Sequence, residues 1–377
     1  MLEQKINEVF GDAEPTHFGS GWWSGVLSAF CGLLALGAVI CLHFPQVLTS
    51  PELRSYYPMP IMRGLIQGVI VAAIVFGVVS AALRRKKILG LTGMLLALLA
   101  TLLGGASVPI NGELHNGPAI GLDWFLLDTL LMTLIFSPIE VLWPAYPRQS
   151  VFRPEWVLDI KYFLSTHLPI QITSFLILLP ATQISTYLAF SGPVNAMAQL
   201  PWLVQFFLAI LLADLSEYAI HRAFHKVPFL WRFHSIHHSS KSLDWLAGSR
   251  SHLVDDVVVR AFMLVPMMLV FPHDMIVAYL FFVTIHATWA HCNFGPTVKW
   301  LEPYLIQPRF HHWHHTSQKE ALDVNFAIHF PWIDRLFGTH YLPEKAWPEH
   351  YGLYKQELPG GFWAQALYPF RRKPKKA

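Results

Sequence analysis

Long apolar segments constrain the fold of this chain more than any other feature of its sequence. A helix needs about 20 mostly apolar residues to cross a bilayer. Six segments of roughly this length cover residues 22–44, 61–83, 88–105, 119–137, 166–190 and 200–220. Uninterrupted apolar runs favour helices, which satisfy their own backbone hydrogen bonds inside a membrane. The sequence therefore predicts an all-α, multi-pass helical membrane protein.

The composition agrees with a membrane protein and excludes several other classes. The chain is 54% hydrophobic and only 14% charged, whereas about a quarter of the residues in an average soluble domain are charged. A net charge of +3 gives no reason to expect a nucleic-acid partner. None of the three cysteines forms a CxxC pair, so neither a disulfide framework nor a thiolate zinc site is predicted.

Basic residues in the short loops predict how the chain crosses the membrane, because such residues accumulate on the cytoplasmic side. The "RRKK" run from Arg84 to Lys87 separates the second and third segments and is predicted to be cytoplasmic. Alternation then puts 106–118 and 191–199 outside, and neither contains Lys or Arg. The sixth segment consequently ends on the cytoplasmic side, followed there by the histidine-rich region.

The chain divides into three parts by composition. Residues 1–150 are predicted to be about four transmembrane helices, and 151–345 a catalytic domain with two or more further spans. The apolar stretches 256–271 and 275–290 are compatible with a re-entrant hairpin or with a thin pair of spans. Residues 346–377 end in a basic tail, interpreted either as an endoplasmic-reticulum retrieval signal or as a cytoplasmic segment near anionic lipid.

Histidines are concentrated in one part of the chain, with thirteen of the 20 between residues 221 and 315. His221 and His225 are four residues apart and would share one face of a helix. Glu217 lies on the same face one turn earlier, and Asp214 lies there two turns earlier. Ligating imidazoles usually donate their second N–H to a carboxylate or carbonyl, so both carboxylates are predicted to support the histidines.

Two further clusters have matching sequences, "RFHSIHHSS" and "RFHHWHHTS". Their alignment predicts two triads with i, i+3, i+4 spacing, each with three imidazoles on one helical face. The triads are His234, His237 and His238, and His311, His314 and His315. On a helix of about 100° per residue, His312 falls at the edge of its triad. His312 is therefore predicted not to be a ligand.

Eight aligned histidines exceed the four ligands of a single zinc ion. Two adjacent ions, each with several imidazoles and an open position, account for this number. Imidazole suits iron, zinc and copper. The Glu and Glu-x-x-His pattern of soluble di-iron bundles is absent from the sequence.

The three clusters resemble those of the fatty acid hydroxylase / sterol desaturase superfamily of integral-membrane di-iron proteins. That family has His-x3-4-His, then His-x2-3-His-His, then a second His-x2-3-His-His after a long gap. Further similarities are "DWLAGSRSH" at 244–252, "HCN" at 291–293 and "NFAIHFPWIDRLFGT" at 325–339. The similarity covers roughly residues 200–345 and leaves residues 1–150 unexplained.

The resemblance implies a ninth ligand, His291, and further supporting positions at His252 and Asn325. His252 is expected to support the site rather than bind metal, and Leu253 stands where the family often has proline. Asp323 is interpreted either as a supporting residue or as a turn residue. His286 is excluded because it lies about 140° around a helix from His291.

The resemblance also implies an activity, in which a paired iron centre itself uses O2 to hydroxylate or desaturate a C–H bond of a lipid from the bilayer. Candidate lipids are sterols, fatty acyl chains and sphingolipids. Zinc is possible in the purified protein. The sequence has no dinucleotide fingerprint, so a separate electron-transfer protein is expected, of the cytochrome b5, ferredoxin or reductase type. The expected location is a bacterial inner membrane or the endoplasmic reticulum.

Four alternatives differ in what they require. A membrane cytochrome needs axial histidines deep within separate spans, and a zinc hydrolase would carry His-Glu-x-x-His, which is absent. A histidine-rich metal transporter would have irregular rather than matched clusters. A non-catalytic lipid- or metal-binding member of the family remains a fourth alternative.

Overall fold

The computed structural model describes residues 6, 10, 17–54, 56, 58–109, 119–187 and 191–371. These residues are almost entirely helical and contain no strand, only an isolated antiparallel bridge between Thr316 and Tyr351. The predicted all-α class is confirmed. The end of the basic tail, 372–377, and most of the predicted external loop, 110–118, lie outside the described residues.

The chain forms two compact units, Met1–Leu131 with Leu168–Ile172, and Met132–His167 with Thr173–Ala377. The helices before residue 150 are Trp22–His43 (α1), Pro45–Leu48 (α2), Pro51–Arg54 (α3), Met59–Leu83 (α4), Ile88–Leu102 (α5) and Leu122–Leu142 (α6). Later in the chain come Trp156–His167 (α7), Ile170–Tyr187 (α8), Gly192–Ala198 (α9), Trp202–Lys226 (α10), Pro228–His234 (α11), Leu253–Val270 (α12), His273–His291 (α13), Pro308–His314 (α14), Pro331–Phe337 (α15) and Phe362–Leu367 (α16).

Small residues let α1, α4 and α5 pack closely within the first unit. A Cβ atom at Gly32 would lie 2.6 Å from the carbonyl oxygen of Gly93, and one at Gly90 would lie 2.6 Å from that of Gly77. The buried hydroxyl of Ser28 donates a hydrogen bond of 2.6 Å to the carbonyl of Ala73. Close backbone approach of this kind is typical of helix packing in membranes, where dispersion contacts replace the hydrophobic effect.

The opposite faces of these helices expose large apolar side chains, including Leu65, Val78, Leu91 and Leu95. Within the described residues, five helical segments are long and apolar enough to cross a membrane: Trp22–His43, Met59–Leu83, Ile88–Ser107, Leu122–Leu142 and Trp202–Lys226. They correspond to five of the six segments predicted from the sequence. The protein is therefore a multi-pass membrane protein.

The remaining predicted span, 166–190, has a more complex structure. Trp156–His167 and Ile172–Leu179 qualify only together as a sixth candidate span, with a bend of 43° between them. The two shorter apolar stretches become α12 and α13, which are 18 and 19 residues long. Neither is among the candidate spans.

The second unit is built around α10, α12 and α13, whose apolar faces enclose a core that includes Met267, Met275 and Tyr279. Phe326, from the segment leading into α15, and Ile333 of α15 complete this core and are fully buried. The short helices α11 and α14 pack against the ends of the long ones. This packing brings the histidine clusters together at one end of the bundle.

A candidate metal centre of two histidine groups

The first histidine group forms where α10 ends. His221 and His225 lie one turn apart on α10, and His234 is the last residue of α11. They are joined by His238, from a 3-10 turn at His237–Ser239, and by His314 of α14. One ring nitrogen from each of these five residues lies within 4.8 Å of all the others. We call this set the five-histidine group.

A second set, which we call the four-histidine group, comprises His237, His291, His311 and His315, and its ring nitrogens also lie within 4.8 Å of one another. His291 ends α13, and His315 follows the last residue of α14. The two groups adjoin, because the ring centroids of His238 and His315 are only 4.4 Å apart. Together the groups contain all nine histidines predicted as ligands.

Each predicted triad is shared between the two groups. His234 and His238 belong to the five-histidine group, whereas His237 belongs to the four-histidine group. The expectation of three imidazoles on one helical face is wrong for this triad, because α11 ends at His234 and a 3-10 turn begins at His237. This change in backbone conformation directs neighbouring side chains into different groups.

Hydrogen bonds on the outer side of the groups fix the orientation of six imidazoles. Four Nδ1 atoms donate to backbone carbonyls: His221 to Phe326 at 2.8 Å, His237 to Arg250 at 3.1 Å, His291 to Ala287 at 2.7 Å and His314 to Val324 at 2.7 Å. Two face carboxylates: His234 with Asp255 at 2.8 Å and His225 with Asp323 at 3.2 Å. A nitrogen that donates outward leaves Nε2 as the nitrogen with a free lone pair.

The inward nitrogens have the chemistry that a metal ion requires. Nε2 of His225, His238 and His314 is buried without a hydrogen-bond partner in the described part of the chain. Other inward atoms face one another, such as Nε2 of His311 and His291 at 2.9 Å. Buried lone pairs with no donor are costly unless a ligand satisfies them. The nine residues therefore fit a pair of divalent metal ions.

Burial also favours the neutral imidazoles that metal binding requires. It lowers the pKa of His314 to about 3. Burial, together with the neighbouring imidazoles, holds the pKa values of His237, His238, His311 and His315 well below the ordinary histidine value. A charged imidazole is disfavoured because desolvation penalises its positive charge.

Asp214 and Glu217 do not meet the histidines in the way that helical phase predicts. Asp214 is fully buried and accepts backbone N–H groups from Ile328, His329 and Phe330 at 2.9, 3.2 and 2.7 Å. Glu217 is half-buried, and its carboxylate is not among the acceptors of the imidazoles within the described residues. Helical phase identifies the shared face of α10 but not the segment that packs against it.

Two other residues predicted to support the ligands, His252 and Asn325, form hydrogen bonds with backbone groups. His252 lies outside both groups and caps α12, with Nδ1 accepting from the Val254 N–H at 3.1 Å. Asn325 adopts the left-handed conformation at φ 58° and bonds to the backbone of Phe310 and Tyr341. Asn325 thereby positions the backbone on either side of it, where the carbonyls of Val324 and Phe326 accept hydrogen bonds from His314 and His221.

His312 and His286, which the sequence predicts not to be ligands, lie outside both groups. His312 is fully buried, and its Nε2 donates to the carbonyls of His291 and Cys292 at 3.2 and 3.1 Å. Its Nδ1 lies 2.6 Å from the hydroxyl of Tyr351. His286 faces the Ile306 carbonyl at 3.0 Å. Both rings are occupied by structural hydrogen bonds.

Sequence reasoning missed Asp255, the carboxylate that orients His234. The residue lies in the first turn of α12, where acidic residues commonly interact with the helix dipole. The available sequence signal is the adjacent pair Asp255 and Asp256 near the start of α12. The sequence does not show whether either carboxylate binds a histidine or only interacts with the helix dipole. The backbone carbonyls that accept hydrogen bonds from the histidines had no sequence signal, because every residue has a carbonyl.

The part of the chain that carries the histidines is similar to known proteins. Residues 206–339 match the fatty acid hydroxylase family. This chain carries a fatty acid hydroxylase domain. The resemblance predicted from the three histidine clusters is confirmed, and all nine histidines and Asp255 lie within the hydroxylase domain.

Several curated proteins are similar to the hydroxylase domain and its surroundings. An ornithine lipid hydroxylase of Rhizobium tropici is 28% identical over 286 residues, covering 74% of this chain and 84% of the relative. Alkylglycerol monooxygenases of Xenopus tropicalis and Homo sapiens are 30% and 29% identical over 149 and 143 residues. The chain spans only 32% and 31% of those two proteins. No solved structure matches the chain.

Proposed function

We propose that this protein is a membrane oxygenase that holds two iron ions and hydroxylates a C–H bond of a membrane lipid. The observation that carries the proposal is the pair of adjoining groups with inward, unpartnered ring nitrogens. Five and four imidazoles are enough ligands for two ions with an exchangeable position. The proposed ligands are His221, His225, His234, His237, His238, His291, His311, His314 and His315.

The protein's own residues would prepare this centre in two ways. The outward hydrogen bonds to Asp255, Asp323 and backbone carbonyls hold the tautomers that point Nε2 inward. Burial keeps the imidazoles neutral and limits access of water. Two iron ions held here would supply the activation of O2, which redox-inert zinc does not.

The reaction class follows from this chemistry and from the relatives. Hydroxylation consumes one C–H bond, O2, two electrons and two protons, and yields an alcohol and water. The names of the relatives, an ornithine lipid hydroxylase and alkylglycerol monooxygenases, favour a polar membrane lipid and hydroxylation over desaturation. An ornithine lipid is the first candidate, because that relative is matched over 84% of its length.

Electrons would come from a separate cytochrome b5, ferredoxin or reductase, since the sequence carries no cofactor module of its own. The basic run Arg84–Lys87 supports a cytoplasmic orientation of the histidine groups, where such donors are available. The buried ligands with fixed tautomers favour an enzyme over a metal transporter, whose ligands must release the ion on each cycle.

Metal content and product formation test the proposal separately. Protein purified without O2 is expected to contain two irons per chain by elemental analysis, with a paired-iron Mössbauer spectrum. One metal per chain, or none, would contradict the paired centre. Zinc alone would call for reconstitution with iron, because overexpression can load such sites with the wrong metal.

The lipid product is tested in cells grown with isotopically labelled O2. Lipid extracts from a deletion strain and from a complemented strain are compared by mass spectrometry, and the expected product carries one labelled oxygen. If no lipid changes in oxygen content or unsaturation, a non-catalytic binding function replaces the enzyme. Altered metal uptake without a lipid change would instead support the transporter.

A further inference from the structure

The loop 244–250 touches the four-histidine group at two points. Its last carbonyl, that of Arg250, accepts the Nδ1–H of His237 at 3.1 Å. Gly248 lies against the ring of His291, and a Cβ atom built at Gly248 would be only 2.9 Å from Cγ of that ring. The position of this loop therefore sets the orientation of two predicted ligands in the same group.

A buried ion network ties the loop to residues just before and within α7. Arg153 donates to both carboxylate oxygens of Asp244 at 2.7 and 2.8 Å, and to Asp159 at 2.5 Å. The second oxygen of Asp159 accepts from Nε of Arg250. Arg153 is 1% exposed, and Arg250 and Asp159 are fully buried. The Asp159 carboxylate thus lies between two buried guanidinium groups, and removing its charge leaves buried positive charge without full compensation.

Arg153 and Asp159 precede residue 206 and so lie outside the segment that matches the hydroxylase family. We propose that Arg153 and Asp159 are positioning residues for the four-histidine group, acting through Arg250 and the loop 244–250. The proposal rests on the function proposed above, in that it requires a metal ion in each group. It means that the matched domain is not sufficient to hold the second metal.

The five-histidine group has a separate support. Fully buried Asp334 accepts the backbone N–H groups of Phe326 and Ala327 at 2.8 and 2.9 Å. The carbonyl of Phe326 in turn accepts Nδ1–H of His221. Because the two supports share no residue, a change in one should release the metal of one group and leave the other loaded.

Matched substitutions test this separation in the full-length protein. Asparagine keeps one acceptor oxygen but presents an N–H in place of the other, so Asp159→Asn turns a donor towards a guanidinium group. We expect Asp159→Asn to retain about one iron per chain instead of two, through a metal affinity at least tenfold weaker in one group. Asp334→Asn is the reciprocal control and should weaken the other group.

Double variants identify which group has lost its metal. Adding His311→Ala to Asp159→Asn should cause no further loss, because both changes act on the four-histidine group. Adding His225→Ala to Asp159→Asn should remove the remaining iron. Asp159→Glu keeps a carboxylate and should restore part of the second metal. General destabilisation would produce neither this pattern nor the rescue.

Gly248→Ala keeps the proposal testable if Asp159→Asn does not fold. The added methyl group presses on the ring of His291 without changing any charge, and should also leave about one iron per chain. Gly360→Ala is the control, since a Cβ there meets no atom within 4 Å. The proposal is overturned if folded Asp159→Asn or Gly248→Ala protein keeps two irons, or loses both. Fewer than two irons in the unsubstituted protein would instead contradict the proposed function.

Discussion

Asp255→Asn isolates the contribution of a single carboxylate to the five-histidine group. Oδ2 of Asp255 lies 2.8 Å from Nδ1 of His234, and both side chains are buried. The carboxylate holds the ring so that Nε2 points inward and makes the imidazole a stronger ligand. Asparagine preserves the shape and one acceptor oxygen but removes the negative charge.

The expected loss of metal affinity follows from the role of groups that hydrogen-bond to metal-binding histidines. Removing one typically weakens metal affinity by about 10–100-fold, or about 1.4–2.7 kcal/mol. Because asparagine can still accept the hydrogen bond, we expect Asp255→Asn to fall near the tenfold end. The loss should be confined to the metal of the five-histidine group, since His234 belongs to that group.

The adjacent residue provides the control. Asp256 pairs with Arg260 at 3.1 Å along α12 and is 17% exposed. The Asp256 carboxylate is paired with Arg260 and not with a histidine, so Asp256→Asn should leave metal affinity unchanged. Affinity is measured by competition with a chelator on protein prepared without O2. Equal losses from both variants, or no loss from Asp255→Asn, would refute the role assigned to Asp255.

Two other predictions concern the histidine clusters and the first unit. His314→Ala should weaken metal binding more than about tenfold, whereas His312→Ala should lower the unfolding temperature but keep both metals; equal metal losses would show that His312 is also a ligand. In the first unit, a Cβ at Gly93 would overlap the backbone of Ser28, whereas one at Gly64 meets no atom within 4 Å. Gly93→Ala should therefore destabilise the protein in detergent by about 1–3 kcal/mol. Gly64→Ala should not, and an unchanged thermal transition in Gly93→Ala would contradict this packing.

The features that the sequence by itself determined depend on local periodicity. Five of six apolar segments were located correctly because crossing a membrane requires a long continuous run of apolar residues. Eight of the nine histidines that gather in two groups, and the separation of His312 from them, followed from spacing and from two matching nine-residue stretches, whereas His291 was implied by the family resemblance. These properties depend on the local order of residues along the chain, so predicting them needs no knowledge of distant contacts.

Tertiary structure alone decided how the histidines are divided and held. The split of His237 from His234 and His238 depends on where α11 ends. The carbonyls of Phe326, Val324 and Arg250 became imidazole acceptors only because their segments pack against α10, α14 and the turn after α11. A backbone carbonyl has no residue-specific signature, so its partner is selected by packing over long sequence separations.

The contrast between Asp214 and Asp255 has the same physical origin. Helical phase identified the face of α10 that carries Asp214, but that carboxylate binds the backbone of 328–330. Asp255, on a different helix, makes the predicted kind of contact with a histidine. Periodicity determines which side chains share a face, whereas the packing of whole helices determines what that face meets.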